Sequence, residues 1–306
     1  MVSNYMSMAD KKISICVIDD PIDVKFLEKI VGCIPDDFQL IQEHGVEFQF
    51  PLVSHGLLCE VLLIDALLHY QIQDQVQLIH YSIGSKTGKR DLQKIVTALN
   101  YCSSCNINLI SMSIGIFYRE TALEMIPILN KMKDTVIFCA AANNFKITYP
   151  AAFPHTIGVK RTINNQKQIA VVPEPEDGIE IIAGLSLPQI FLDLSIRNGY
   201  NTTDSNSVLP PRLCAKFAKQ ILRYETPLSK KAALDFFYGF SSMTNSIERY
   251  KLPDWFLAFN DESPPTIMLS YKSDFSSSLA TTLAVQIQCE FEKRGYACPI
   301  LSDLFS

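Results

Sequence analysis

VQLIHYSIGSKTGKRDLQKIVTALNYCSSCNINLISMSIG, residues 76–115, holds two apolar runs separated by an amphipathic stretch. The runs at 76–84 and 107–115 have the length of strands. Both read as strands. Between them, residues 90–105 repeat apolar positions at helical spacing. The same alternation extends outward in both directions. KISICVIDD (12–20) reads as a buried strand, and DVKFLEKIVGCI (23–34) follows as a helix. GLLCEVLLIDALLHY (56–70) is apolar around its whole circumference and is expected to be a buried helix. TALEMIPILNKMKD (121–134) reads as a helix and TVIFCAAANN (135–144) as a strand. Strands alternating with helices at this spacing predict an α/β fold with a parallel sheet between two helical layers. Such sheets bind ligands beyond the carboxyl ends of their strands, so the residues just past each strand carry the information.

The 306 residues suffice for one large α/β domain with an appendage, or for two modest domains. A net charge of −5 argues against nucleic-acid binding, which needs a basic surface. No apolar run approaches the ~20 residues that span a bilayer. VLLIDALLHY (61–70) comes nearest and is interrupted by Asp65. The N-terminus MVSNYMSMADKK lacks the apolar core of a secretory signal. Several of the nine cysteines sit inside apolar runs, where a thiol behaves as a small hydrophobe; a reducing cytoplasm is the expected location.

Asp19 closes the first strand, and His55 opens the buried helix. Asn143 lies in AAANN after the strand at 135. Ser207 lies in TTDSNSVLPPRLCAKFAKQIL (202–222), where a polar loop turns into an apolar helix. Two readings of Ser207 are open: an N-terminal cap, a position that favours serine, or a nucleophile at the mouth of a helix. Asp20 stands beside Asp19 as an alternative carboxylate. A second His-Gly pair occurs at His44, but no buried helix follows it.

Taken together, these segments resemble the subtilisin-like serine proteases, or subtilases. Val17-Ile18-Asp19-Asp20-Pro21-Ile22 is similar to that family's V-I-D-T/S-G-I motif, and His55-Gly56 to the start of H-G-T-H-V-A. NINLISMSIG (106–115) resembles its N-V-I-N-M-S-L-G strand, and AAANN its A-A-G-N segment. YPAAFPHTIGV (149–159) is similar to the Y-P-A strand that follows. Ser205-Asn206-Ser207-Val208-Leu209-Pro210-Pro211 matches G-T-S-M-A-x-P at the serine and the last proline. The resemblance covers residues 12–240 in matching order. It implies a subtilisin-like three-layer fold in which Asp19 orients His55, His55 acts as general acid and base, and Ser207 attacks the scissile carbonyl. By the same resemblance Asn143 donates its amide to the oxyanion, and substrate lies extended along an edge strand at Ser113, Ile114 and Gly115. The family's glycines are replaced by Pro21, Ser205 and Ala142, and Leu57 and Leu58 stand where it has Thr and a second His.

The implied activity is that of a cytoplasmic serine endopeptidase acting on a peptide or precursor peptide. With eighteen residues ahead of Asp19, no folding prodomain is expected, as in compact intracellular members that clip leaders from ribosomally made peptides. The alternative is a catalytically silent subtilase that binds a peptide or a partner. GSKTGKR (84–90) only echoes a phosphate loop, and IDDPID lacks the glycines that a nucleotide site requires. Cys102-Ser103-Ser104-Cys105 has no second ligand pair of zinc spacing, and no dense carboxylate loop suggests calcium; neither metal nor cofactor is expected. Residues 1–241 are expected to form the catalytic domain. Residues 242–306 are expected to form a linker and a small β-α-β extension, with strands at 266–271 and 296–301 and a helix at 276–295. The extension is too small to stand alone and should brace the core, dock a partner or self-associate.

Overall fold

The computed structural model describes residues 12–42, 53–84, 92–116, 119–143, 147–162, 168–173, 175, 178–197, 205–240 and 286–287. The first strand, β1 (Ile13–Asp19), shows why the sheet must be covered twice. Successive side chains on a strand point to opposite faces. Ile13, Ile15 and Val17 enter one core, and Cys16 and Ile18 enter another. Eight strands follow this logic in one sheet: β1, β2 (Gln39–Ile41), β3 (Val76–Ser82), β4 (Leu109–Met112), β5 (Val136–Ala140), β6 (Ile157–Arg161), β7 (Ile169–Val171) and β8 (Ile179–Ala183). Their order is β2-β3-β1-β4-β5-β6-β8-β7, parallel throughout except for β7 on β8.

The helices are α1 (Val24–Val31), α2 (His55–Tyr70), α3 (Leu92–Ser104), α4 (Arg119–Leu129), α5 (Gln189–Arg197), α6 (Leu209–Tyr224) and α7 (Lys230–Tyr238). Leu27 of α1, the apolar body of α2, Phe191 of α5, Leu213 and Phe217 of α6 and Phe237 of α7 share the first core. Ile95 and Leu99 of α3 and Met125 of α4 fill the second, on the opposite face. The architecture is therefore three-layered, as expected. α2 is buried along most of its length, which accounts for the lack of a polar face in 56–70. Asp23 caps α1 through the Phe26 N–H, and Gly32 ends it at φ 76°, a conformation that favours glycine.

Two expectations are corrected. β4 lies between β1 and β5 and ends at Met112, so Ser113, Ile114 and Gly115 follow a central strand rather than forming an edge. The strand expected within 149–159 is confined to its end, in β6; Tyr149 pairs singly with Ile116, and the chain then turns. The sequence also left β2, β7, β8 and α5 unpredicted. Of the C-terminal extension, Gln286 and Ile287 are helical and buried, within the helix expected at 276–295. The strands expected at 266–271 and 296–301 lie outside the described residues.

Candidate active site

The chain leaves β1, forms β3 on one side of it and then β4 on the other. The crevice outside the strand ends at such a reversal is where α/β sheets place ligands. Asp19, the last residue of β1, stands there with a fully buried side chain. Its Oδ1 accepts the Asp20 N–H at 2.8 Å and lies 2.8 Å from His55 Nδ1. A carboxylate can only accept, so the neutral ring carries its proton on Nδ1. Its Nε2 is then the basic nitrogen, and no described residue bonds to it.

His55 owes this position to the start of α2. Ser54 caps the helix by accepting the Leu57 N–H at 3.1 Å. Gly56 lets the first turn lie against the end of β1: a Cβ there would stand 2.1 Å from the Asp20 carbonyl oxygen. Any side chain at 56 would drive His55 away from Asp19. Burial of the ring opposes its charge, but the adjacent Asp19 carboxylate prevails and holds the His55 pKa well above its ordinary range.

Ser207 sits inside a 3₁₀ turn, Asn206–Val208, that leads directly into α6. The cap of that turn is Ser205, whose hydroxyl accepts the Ser207 N–H at 3.3 Å. Of the two sequence readings, the capping role thus falls to its neighbour. Asn206 clamps the turn to the sheet, donating to the Ala141 and Ala142 carbonyls at 3.1 Å and accepting the Arg161 N–H at 2.7 Å. Ser113 donates its hydroxyl to the Ser207 carbonyl at 2.8 Å. Ile114 is buried in the second core, and Gly115 is exposed. Asn143, three residues beyond β5, accepts the Asn206 N–H through Oδ1 at 2.9 Å and donates from Nδ2 to Ser205 Oγ at 3.3 Å.

The expected residues therefore form two groups, Asp19 with His55 and Ser207 with Asn143 and Ser113. Among the described residues no hydrogen bond joins His55 to Ser207. The link between the groups is Cys59, one helical turn beyond His55. Its Sγ lies 3.9 Å from His55 Nδ1 and 3.9 Å from the Ser207 carbonyl oxygen. Burial, reinforced by Asp19, pushes the Cys59 thiol up to about 11, so it is protonated at neutral pH. Asp19, His55 and Cys59 each offer a ligand atom, all within 4.8 Å of one another. A metal there would need the thiolate that burial disfavours and would displace the Asp19–His55 bond, so the trio suits an acid–imidazole pair better than a metal.

Sequence reasoning missed Ser205, Asn206 and Cys59, along with a second buried pair, Glu60 and His80. Cys59 was findable: it stands four residues after His55 on a predicted helix, hence on the same face. Cys102 is buried and Cys105 exposed, both as free thiols. Among the described residues, no helix is long and apolar enough to cross a membrane.

The fold is a three-layer α/β fold of subtilisin-like form, and solved structures agree. The epidermin leader peptide processing serine protease of Staphylococcus aureus superposes with a TM-score of 0.54 at 15% identity, covering 78% of this chain and 73% of its own. A lanthipeptide protease superposes with a TM-score of 0.50 at 15% identity, covering 73% of this chain and 78% of its own. At such identity the likeness establishes the fold alone. No family model and no curated protein matches the chain in sequence.

Proposed function

We propose that the chain is a serine endopeptidase of subtilisin-like type that removes a leader from a precursor peptide in the cytoplasm. The observation that carries this reading is the Asp19–His55 pair, joined at 2.8 Å, with no described residue bonded to Nε2. The remaining support is the placement of Ser207 in the turn that opens α6, held to Asn143 beyond β5 through Ser205 and Asn206, and the leader-processing role of the S. aureus structural neighbour.

In this reading Ser207 Oγ attacks the scissile carbonyl carbon and its proton passes to His55 Nε2. Asp19 holds the ring in the required tautomer and stabilises the imidazolium. Asn143 Nδ2 and the Ser207 N–H donate to the oxyanion. His55 returns the proton to the departing amine, which becomes the new N-terminus of the core peptide, and water releases the leader from Ser207. The exposed backbone at Gly115, just past β4, would pair with the extended substrate. Residues 1–241 would form the catalytic unit, with residues 242–306 as a separate unit for bracing or self-association. The rival, a silent peptide-binding protein, keeps the same groove without turnover.

Intact mass after incubation with a fluorophosphonate separates the two. One adduct on the native chain and none on Ser207→Ala is the expected outcome; absence of any adduct on folded protein, with and without added peptide, overturns the protease reading.

A further inference from the structure

The nucleophile's own N–H and a side-chain amide are the donors that acyl-transfer sites use to bind an oxyanion. Here both already have an oxygen between them. Ser205 Oγ accepts the Asn143 Nδ2–H at 3.3 Å and the Ser207 N–H at 3.3 Å, and it lies 2.7 Å from Ser207 Oγ. An oxygen near 3 Å from both the nucleophile and the oxyanion donors stands where a reacting carbonyl oxygen must go.

Resting on the protease reading, we propose that the Ser205 hydroxyl occupies the oxyanion hole of the resting protein and must be displaced by substrate, so that Ser205 is an internal brake on Ser207.

Proton counting adds a second effect. A hydroxyl oxygen has two lone pairs and one proton. Both lone pairs of Ser205 Oγ are used by the Asn143 and Ser207 N–H groups, so its proton must serve the 2.7 Å contact. Ser205 therefore donates to Ser207 Oγ, drawing on the electron pair with which Ser207 would attack. The same side chain fills the anion site and quiets the nucleophile. Both N–H bonds are long at 3.3 Å, as befits a plug that must leave. Turning Ser205 about χ1 frees both donors without moving the backbone, because Asn206 independently ties the turn to Ala141, Ala142 and Arg161. A carbonyl that binds well enough to displace the hydroxyl, as an extended precursor peptide would, opens the site. A weak electrophile does not.

A cap and a plug predict opposite results. A serine that is only a cap speeds nothing when removed. A plug that leaves the hole open about one-tenth of the time slows reaction by about tenfold. Glycine is tolerated at a helix cap, which makes Ser205→Gly the informative variant. The experiment is the rate of fluorophosphonate labelling, by intact mass, for the native chain, Ser205→Gly, Ser205→Ala and Ser207→Ala, each first shown to be folded by its thermal melt. Labelling about tenfold faster in Ser205→Gly and Ser205→Ala, with none in Ser207→Ala, is expected. Equal or slower labelling in folded Ser205→Gly overturns the plug and leaves the protease reading standing. No labelling in any chain, the glycine variant included, overturns both.

Discussion

Two carboxylate–imidazole pairs sit on α2 and the strands beneath it, with the same separation and opposite fates. Asp19 and His55 meet at 2.8 Å, as do Glu60 and His80. The first ring keeps 18% of its side chain exposed, while His80 and Glu60 are wholly enclosed. The decisive difference is the other nitrogen. His80 Nε2 is bonded to the Asp20 carbonyl at 2.9 Å, so both its nitrogens are committed. A carbonyl only accepts, so Nε2 carries a proton and a second proton is shared between Nδ1 and Glu60. Burial pushes the Glu60 pKa up, and the pair can be neutral without leaving a bare charge inside. The identical contact leaves one nitrogen without a bonding partner among the described residues at His55 and none at His80, which suits the first to the proposed chemistry and the second to a structural strut.

The pairs also meet. Asp20 gives its N–H to Asp19 and its carbonyl to His80. The closed pair thus anchors the turn on which the open pair depends.

The sharpest way to break the comparison is Asp19→Asn. It keeps the shape but removes the charge that stabilises the imidazolium, and it sets an amide NH2 in competition with the oxygen that fixes the His55 tautomer. Turnover of a peptide substrate should fall about 10⁴-fold, as for the equivalent change in serine protease triads. A fall under tenfold would mean that Asp19 does not orient His55.

His80→Ala should act on stability instead. It leaves the Glu60 carboxyl buried without its partner and removes the His80 anchor of the Asp19–Asp20 turn, a defect of about 1–3 kcal/mol in urea-induced unfolding. A change under 1 kcal/mol would show that the enclosed pair is no strut.

The smallest effect is the titration of His55, followed by NMR of its ring protons. Because its folded pKa is raised, the rise of kcat/KM with pH should have its midpoint above 6.5, where the ring loses its proton. The ion pair's contribution to stability follows the same sign. It is full below the unfolded value near 6.5 and is lost as pH rises through the folded value. In Asp19→Asn burial is opposed by Cys59 alone and no longer by a carboxylate, so the His55 pKa should drop and the stability gap to the native chain should narrow in alkali. An unmoved His55 titration would assign the shift to another cause.

Much of this was legible in the chain. The alternation of apolar runs announced the parallel sheet because both faces of β1, with Ile15 and Val17 on one and Cys16 and Ile18 on the other, needed cover. Asp19 and His55 were legible because a strand end and a helix start are local events marked by local residues. Short strands such as β2 and β7 escaped because three residues carry no measurable period, and they exist only by pairing with β3 and β8. The place of Ser113–Gly115 beyond a central strand escaped because sheet order is a property of the assembled sheet.

The sequence by itself determined the layered α/β class, the strand-end positions of Asp19 and Asn143 and the helix-start positions of His55 and Ser207, since periodicity and chain order suffice for both. Only the tertiary structure decided which histidine keeps an open nitrogen and which serine fills the space between Asn143 and Ser207. Those choices rest on hydrogen bonds between residues 20 to 63 positions apart, and whether a donor finds its acceptor at such separations depends on how the layers pack.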